Sequence, residues 1–557
     1  MEFKYKKRKI LFVSEASFAA TGYGRYYSEL INRCYNSGKY RVAEFASFCA
    51  CGDPRDEKIK WRFYANEPSA NDQIGHKLYQ SNDSNKTGAW RFDKVLIDFQ
   101  PDIVVDLRDS TMAEYEVMSP LRKFFFHAIS PSLDSAPQID SWIAYMMQAD
   151  AVVGYSNYAM DVMRDESGGK IKLYKSAYPG VNNQVFRPIK DRARLKEALG
   201  LNPDTYITAM CGRNQIRKLI PELMKAYSLF LQKIKNIDLN LYNLSYLYLH
   251  TTLPDLRTWN ISKLLVELGL TNKVLFSYQC TKCGIFFPNK FQEVNTTCKS
   301  CGGQAILPRI TVPLHEENLN RIYNISDLYI QYANAGATEF PLVEAAAAGC
   351  NVMAVDWAGT GDACKRLGGI PLKVIGTPRD INVDADRAIP DNEYLADELV
   401  KFYKRPRQIN LRNGQKISQN AIKKFSWDKN AEIWMELFDS VKLTGYQGKW
   451  SADIPFNPQQ NLSQNLPTYD WVYNFINLVL QEPSIKHSLT IDEAIKFAEQ
   501  GSRSTGNNVI PWGRKELTQM LENLVNNKIT VEQIRRGQPL NKEDWLEYAD
   551  FKELVNL

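Results

Sequence analysis

The sequence predicts an α/β protein built from two doubly wound, Rossmann-like domains, with a small cysteine-rich insertion in the second domain and a helical unit at the C-terminal end. Three observations carry this. Short β-branched or aromatic runs alternate with longer helical patterns, as in parallel sheets covered by helices on both faces. The alternation falls into two series, separated by the turn-rich stretch YPGVNNQVFRPIKD at 178–191. Four cysteines stand at knuckle spacing inside the second series.

In the first series the strand candidates are KILFVS (9–14), VAEFAS (42–47), IVVDL (103–107), FFFHAI (124–129) and AVVGYS (151–156). Helical patterns at 24–37 and 139–149 lie between them. The second series holds strand candidates at 207–212, 244–251, 273–278, 328–333 and 350–356, with helices at 219–234 and 341–349. These elements divide the chain into domains at 1–190 and 191–380, with an inserted ribbon at 278–305. Helices over 381–445 close the two-domain core, 446–467 has linker composition, and 468–557 reads as a helical unit.

Composition excludes several classes. A chain of 557 residues with 44% hydrophobic, 24% charged and 12% aromatic residues is neither collagen-like, nor a coiled coil, nor wholly disordered. The net charge of +6, from 69 basic and 63 acidic residues, permits an anionic partner without demanding one. The longest apolar-leaning run, 340–359, is interrupted by Glu344, Asn351 and Asp356, so no membrane span is expected. The start MEFKYKKRKILFVSE is basic and then apolar for only about six residues before Glu15, and reads as a first strand, not a signal peptide. The expected location is the cytoplasm.

The cysteines agree with a reducing compartment. Cys280-x2-Cys283-x14-Cys298-x2-Cys301 places four thiolates around one point, and Gly284 and Gly302 permit the tight turns that aim the sulfurs. Four sulfur ligands leave no open position for water, so the expected Zn²⁺ is structural. Cys34, Cys49, Cys51, Cys211, Cys350 and Cys364 are scattered and read as small buried hydrophobes.

Three motifs carry chemistry. Thr21-Gly22-Tyr23-Gly24 follows the first strand and feeds a helix, where backbone amides can approach a phosphate or sugar. A dinucleotide fingerprint would need a third glycine at Tyr27, which counts against a nicotinamide dehydrogenase. The second domain opens with a strand ending at Gly212, followed by Arg213 and Lys218, two cations at the crevice where doubly wound sheets bind ligands. Fixed positive charge there would neutralise a departing diphosphate. The third motif is ANAGATEFPLVEAAAAGCNVMAVD (333–356). A helix beginning near Pro341 would place Glu344 in its first turn, as a carboxylate for two hydroxyls, while amides from Thr338, Phe340 and Leu342 point at phosphate. First-turn helix stabilisation is the competing role for Glu344.

Together with YSNYAMDVM (155–163), YPGVNNQVFRP (178–188) and FSWDKNAEIW (425–434), these motifs give the chain its family likeness. It resembles the retaining, nucleotide-sugar-dependent glycosyltransferases of the GT-B architecture, in their glycogen-synthase-like (group 1) branch, over roughly residues 8–440. The resemblance implies a nucleotide-sugar donor, most simply a UDP-sugar, held between the two domains. It matches Gly22 and Gly24 to the glycine loop, Arg213 and Lys218 to the diphosphate cations, and Glu344 to the ribose-binding glutamate. His127 matches a histidine that touches the donor sugar, with a packed or surface histidine an equal reading of the residue alone. One departure stands out. The family's other glutamate, eight residues before Glu344, is replaced by Gly336, and Glu339 is three residues out of register. Either Glu339 substitutes, or the sugar is held differently, or the protein is a binder without catalysis.

The ribbon adds Lys282, Lys290, Lys299 and Arg309 against Glu293, interleaved with Phe286, Phe287 and Phe291. Cations with aromatics suit a nucleic-acid surface, and a ribbon packed through its phenylalanines would read the same. The expected acceptor is therefore open: hydroxymethylated DNA as the specific reading, a glycan, lipid-linked or small-molecule acceptor as the general one. A non-catalytic scaffold for nucleic acid or protein is the third reading.

Overall fold

In a computed structural model, the structure describes residues 7–119, 121–252, 258–292, 295–309, 314–381 and 383–442. The linker expected at 446–467 and the helical unit at 468–557 lie outside the described residues. Two compact units divide the chain: Met1–Ser130 with Gln148–Ala151 and the segment from Leu437, and Pro131–Met147 with Val152–Glu436.

The first unit contains β1 (Arg8–Glu15), β2 (Tyr40–Ala50), β3 (Arg62–Glu67), β4 (Ile103–Asp106) and β5 (Phe126–Ile129). They are parallel, in the order β3-β2-β1-β4-β5. Central β1 buries Ile10, Leu11, Phe12 and Val13 in succession, as a strand covered on both faces must. The strand at FFFHAI is shorter than its apolar run because Arg122–Phe124 turns as a 3₁₀ helix first. Edge strand β3 (RFYANE) is too polar to stand out in the sequence.

In the second unit, β6 (Ala151–Gly154) and β7 (Leu173–Ser176) pair in parallel. The second sheet takes β8 (Tyr206–Cys211), β9 (Ser245–His250) and β10 (Val274–Cys280). It continues through β11 (Phe286–Lys290), β12 (Asn295–Thr297), β13 (Gln304–Ile306), β14 (Leu328–Gln331), β15 (Asn351–Val355) and β16 (Ile370–Leu372). Strands β10-β9-β8-β14-β15-β16 form the parallel core. Helix Ile220–Lys235 covers it with Ile220, Leu223, Met224, Tyr227, Phe230, Leu231 and Ile234, the three- and four-residue spacing of one helical face.

The cysteine ribbon is more than a loop excursion. β10 runs on from its parallel pairing with β9 to Cys280, and β11 and β13 pair with it antiparallel. The insertion thus extends the main sheet. Phe286 is buried, Phe287 stacks on Tyr278 at 6.1 Å, and Phe291 meets Phe276 edge-on at 5.4 Å.

The helix Trp427–Ser440 contains the division between the units. Within the second unit, Asn430 Nδ2 donates to the carbonyls of Ala177 (3.0 Å) and Tyr178 (2.9 Å). A Cβ added at Gly180 would lie 2.3 Å from Trp427 N, so only glycine fits beneath this helix. Within the first unit, Phe438 packs edge-on against Phe12 (6.1 Å) and Tyr40 (5.7 Å).

Candidate active site

Parallel sheets bind ligands beyond the carboxyl ends of their strands. In the second unit, β8 ends at Cys211, and Gly212 leads through exposed Arg213 to a 3₁₀ turn, Ile216–Lys218. Leu219 then takes a left-handed conformation (φ 45°) before helix Ile220–Lys235. This turn drives the Lys218 side chain inward, where it is buried. Its Nζ lies 2.6 Å from Glu339 Oε1, and Arg217 Nη1 reaches the same oxygen at 2.8 Å. Burial opposes charge on Glu339, but Lys218 and Arg217 outweigh it and hold the carboxyl well below the usual range, at about 2. Burial pushes the Lys218 ammonium down to about 8, with Glu339 pulling the other way.

Glu339 arrives from the loop between β14 and helix Phe340–Ala347. The same loop explains Gly336. A Cβ there would lie 2.5 Å from Thr360 Oγ1 and 2.8 Å from Glu339 Oε1, so the Glu339 carboxylate fills the space into which a side chain at 336 would grow. Along the end of β14 and this loop, Gln331 Nε2, Asn334 Oδ1 and Thr338 Oγ1 are buried without a hydrogen-bond partner among the described residues. Orphaned buried polar atoms are rare in folded proteins and mark places where a ligand or water completes the structure.

The helix starts one residue earlier than the sequence suggests, at Phe340, which puts Glu344 in the second turn instead of the first. Glu344 is buried, and its Oε2 accepts from Tyr323 Oη at 3.0 Å. Leu342 is fully buried, and its amide bonds to the Glu339 carbonyl at 3.2 Å. Phe340 lies against Trp427, with ring centroids 6.1 Å apart. Pro341 supplies no N–H, so the donors of this helix start are fewer than a continuous run of amides would offer.

In the first unit, Gly22 is exposed as the first residue of helix Gly22–Asn36. The amide of Gly24 is taken by the Thr21 cap at 3.1 Å. A Cβ at Gly24 would stand 2.5 Å from Ala19 O and 2.7 Å from Ala16 O, so this glycine lets the loop close over the helix end. His127 is fully buried in β5. Its Nε2 bonds Glu116 Oε2 at 2.7 Å, and burial lowers its pKa to about 3. Glu116 Oε1 in turn meets Arg108 at 2.7 Å, and Arg108 Nε bonds Asp106 at 2.7 Å.

The four clustered cysteines converge as their spacing suggests. All four sulfurs lie within 4.8 Å of one another. Cys280 and Cys301 are 3.4 Å apart, and Cys283 and Cys298 3.8 Å. A zinc–sulfur tetrahedron with bonds of about 2.3 Å needs sulfurs roughly 3.8 Å apart, so the set fits a metal ion. Gly284 (φ 72°) and Gly302 (φ 68°) occupy the left-handed positions of the two knuckles. The other six cysteines are free thiols, five of them buried. Among the described residues, no helix is long and apolar enough to cross a membrane.

No family model matches the chain, and no curated protein does. Solved structures match it. Sucrose-phosphate synthase from Thermosynechococcus elongatus superposes with a TM-score of 0.56 at 15% identity, over 78% of this chain and 100% of that one. Anabaena Alr3699/HepE in complex with UDP gives a TM-score of 0.53 at 12% identity, over 78% and 100%. An E. coli trehalose-6-phosphate structure bound with UDP-2-fluoro glucose gives 0.52 at 11% identity, again over 78% and 100%. The fold is GT-B.

Within this GT-B fold the sequence motifs bring Lys218 and Glu339 together and leave Arg213 exposed. The sequence motifs single out neither Arg217 nor Tyr323. Arg217 stands inside the Gly212–Lys218 stretch, and its place beside Lys218 was the available signal. Tyr323, 21 residues before Glu344, gave none.

Proposed function

We propose that the protein is a glycosyltransferase that moves a hexosyl or pentosyl group from a UDP-sugar to an acceptor hydroxyl with retention. The observation that carries this reading is Lys218: a buried ammonium at the carboxyl end of β8, with Glu339 as its partner among the described residues. A lysine buried at the carboxyl end of a parallel strand, where such sheets bind ligands, suits an anion. Lys218 and Arg213 would stabilise the diphosphate as its bond to the anomeric carbon breaks. The acceptor oxygen forms the new bond, and its proton passes to the departing phosphate oxygen. Glu344 would receive the ribose hydroxyls, and the amides of Thr338 and Phe340 the phosphate. Glu339 orients Lys218 and Arg217, and His127 supports the first unit's strand ends. The UDP and UDP-2-fluoro glucose in the structures of similar fold motivate the choice of nucleotide.

Zn²⁺ is the metal proposed for Cys280, Cys283, Cys298 and Cys301, with a purely structural role. For the acceptor, hydroxymethylated DNA is the specific proposal. Lys282, Lys299 and Arg309 are exposed on or beside the ribbon. Its phenylalanines are packed, so contact there would be electrostatic instead of stacking. A second run of cations supports it: residues 405–427 carry Arg405, Arg407, Arg412, Lys416, Lys423 and Lys424 with no acidic residue, and Arg412, Lys416 and Lys423 are exposed on the helix Arg407–Lys424.

The test is a mass-spectrometric panel of UDP-, GDP- and ADP-sugars with hydroxymethylcytosine DNA and simple glycans as acceptors. Transfer from a UDP-sugar is expected, and Lys218→Ala should lower turnover by about 10²–10³-fold. Sugar on a glycan and none on DNA replaces the acceptor. UDP binding with neither transfer nor donor hydrolysis makes the protein a scaffold.

A further inference from the structure

The loop after β5 brings a second carboxylate to Gly336. The Gly336 amide donates to the Asp134 carbonyl at 3.3 Å, and the neighbouring backbone is stitched to the same place: the Asp386 amide bonds Ala136 O at 2.8 Å and the Ala388 amide bonds Asn334 O at 3.0 Å. The Asp134 side chain is held by one oxygen. Its Oδ1 accepts from Ser135 Oγ at 2.9 Å and faces Arg387 Nη1 at 3.3 Å. Arg387 is itself largely buried and also faces Asp380 at 3.6 Å. No described residue bonds Oδ2, and the Asp134 side chain remains 34% exposed, so a ligand can reach it. Its charge is felt by Lys218.

We infer that Asp134 is a sugar-binding residue, its free carboxylate oxygen accepting hydroxyl hydrogen bonds from the glycosyl group of the donor. This rests on the glycosyltransferase reading above. The argument is one of availability. No side chain can grow at Gly336, where Thr360 and Glu339 already crowd the Cβ position. Glu339 stands next to it but is clamped by two cations, Lys218 and Arg217, and its side chain is only 14% exposed against 34% for Asp134. Asp134 meets the same glycine through its backbone carbonyl, and its side chain, pre-oriented by Ser135 and Arg387, has an oxygen to spare. A carboxylate is an acceptor-only group, suited to a ligand that presents several hydroxyls and unsuited to a phosphate. Its position therefore fits the polyol end of a nucleotide sugar, with the diphosphate at Lys218.

Calorimetric titration of the full chain separates the two ends of the donor. UDP is compared with whichever of UDP-glucose, UDP-galactose and UDP-N-acetylglucosamine the wild type binds most tightly. Asp134→Asn should leave UDP affinity within about twofold and weaken the UDP-sugar about tenfold, a loss of roughly 1.4 kcal/mol. Arg387→Ala, which frees the carboxylate without removing it, should shift the same ratio less, and Asp134→Glu should restore part of it. Equal affinity of Asp134→Asn and wild type for the UDP-sugar overturns the assignment while leaving the glycosyltransferase reading in place. Parallel loss of UDP and UDP-sugar overturns it too, as a purely structural role. A wild type that binds neither UDP nor any UDP-sugar overturns both.

Discussion

Each unit carries a charge cluster beside its strand ends, and the two are built from similar parts with different access. In the first unit, Arg108, Glu116 and His127 are sealed, with no side-chain exposure, and Asp106 is nearly so. In the second, Lys218 is as deeply set, but Arg217 is 38% exposed and Glu339 14%. Within the sealed cluster Arg108 also donates to Ser47 Oγ (2.9 Å) and Tyr115 Oη (3.0 Å), while His127 Nδ1 is buried without a partner among the described residues. Burial pushes Asp106 and Glu116 up against the pull of Arg108, which is the signature of two carboxyls sharing one cation. The open cluster has two cations on one carboxylate oxygen, a local excess of positive charge with a way in.

The largest effect that could break this contrast is on stability. Arg108→Met keeps much of the side-chain volume and strands Asp106 and Glu116 without their cation, which should cost about 3–5 kcal/mol of unfolding free energy. Urea titration of the variant measures it, and a loss under about 1 kcal/mol would mean that the sealed cluster is not structural. Lys218→Ala, by contrast, leaves Glu339 paired with Arg217 at 2.8 Å, and should cost only roughly 1–2 kcal/mol. Its main effect is the lost turnover proposed above. If Lys218→Ala unfolds the protein as readily as Arg108→Met, the two clusters are alike and the anion-site reading loses its support.

How much of this was legible in the sequence depends on the distance between partners. The four-cysteine set is two local knuckles, and its spacing alone announces the convergence. Strands β1, β8 and β15 are continuous apolar runs and were readable within a residue or two. Polar β3 and β7 left no such trace, because an edge strand needs no hydrophobic run. The site divides in the same way. Lys218 and Arg213 sit in one short stretch after a strand, and position marks them. The grip of Glu339 on Lys218 joins residues 121 apart, and whether a glutamate three places out of register reaches a lysine is a question of loop path that no pattern encodes. His127 shows the converse: a histidine at a strand end reads equally as ligand contact or as packing, and its burial against Glu116 became visible only with the neighbouring strand and helix in place.

The smallest expected effect is a difference in pH dependence, and it separates the clusters without removing either. His127 is held at about 3 in the folded chain, against about 6.5 when exposed. Below pH ~6.5 the unfolded chain takes up a proton that the folded chain refuses, so stability is full above ~6.5 and declines as pH falls toward 3. Glu339, held at about 2 against an ordinary 4.5, contributes stability that is full above about 4.5 and declines only as pH falls toward 2. Between pH 7 and 5 His127 should therefore respond and Glu339 should not, while His250, held down at about 4 by desolvation, and Glu44, pushed up to about 7 by burial, contribute alike to wild type and both variants. His127→Gln should flatten the profile there by roughly 1–2 kcal/mol, at about 1.4 kcal/mol per pH unit for one proton. Glu339→Gln should remove the decline below about pH 4.5 and, by taking away the carboxylate that holds the Lys218 ammonium up, move the lysine's titration to lower pH. Unfolding curves across pH for the three proteins give the answer. A His127→Gln profile parallel to wild type between pH 7 and 5 would mean that the imidazole takes its proton in the folded state as easily as outside it, and that the first unit's cluster is open after all.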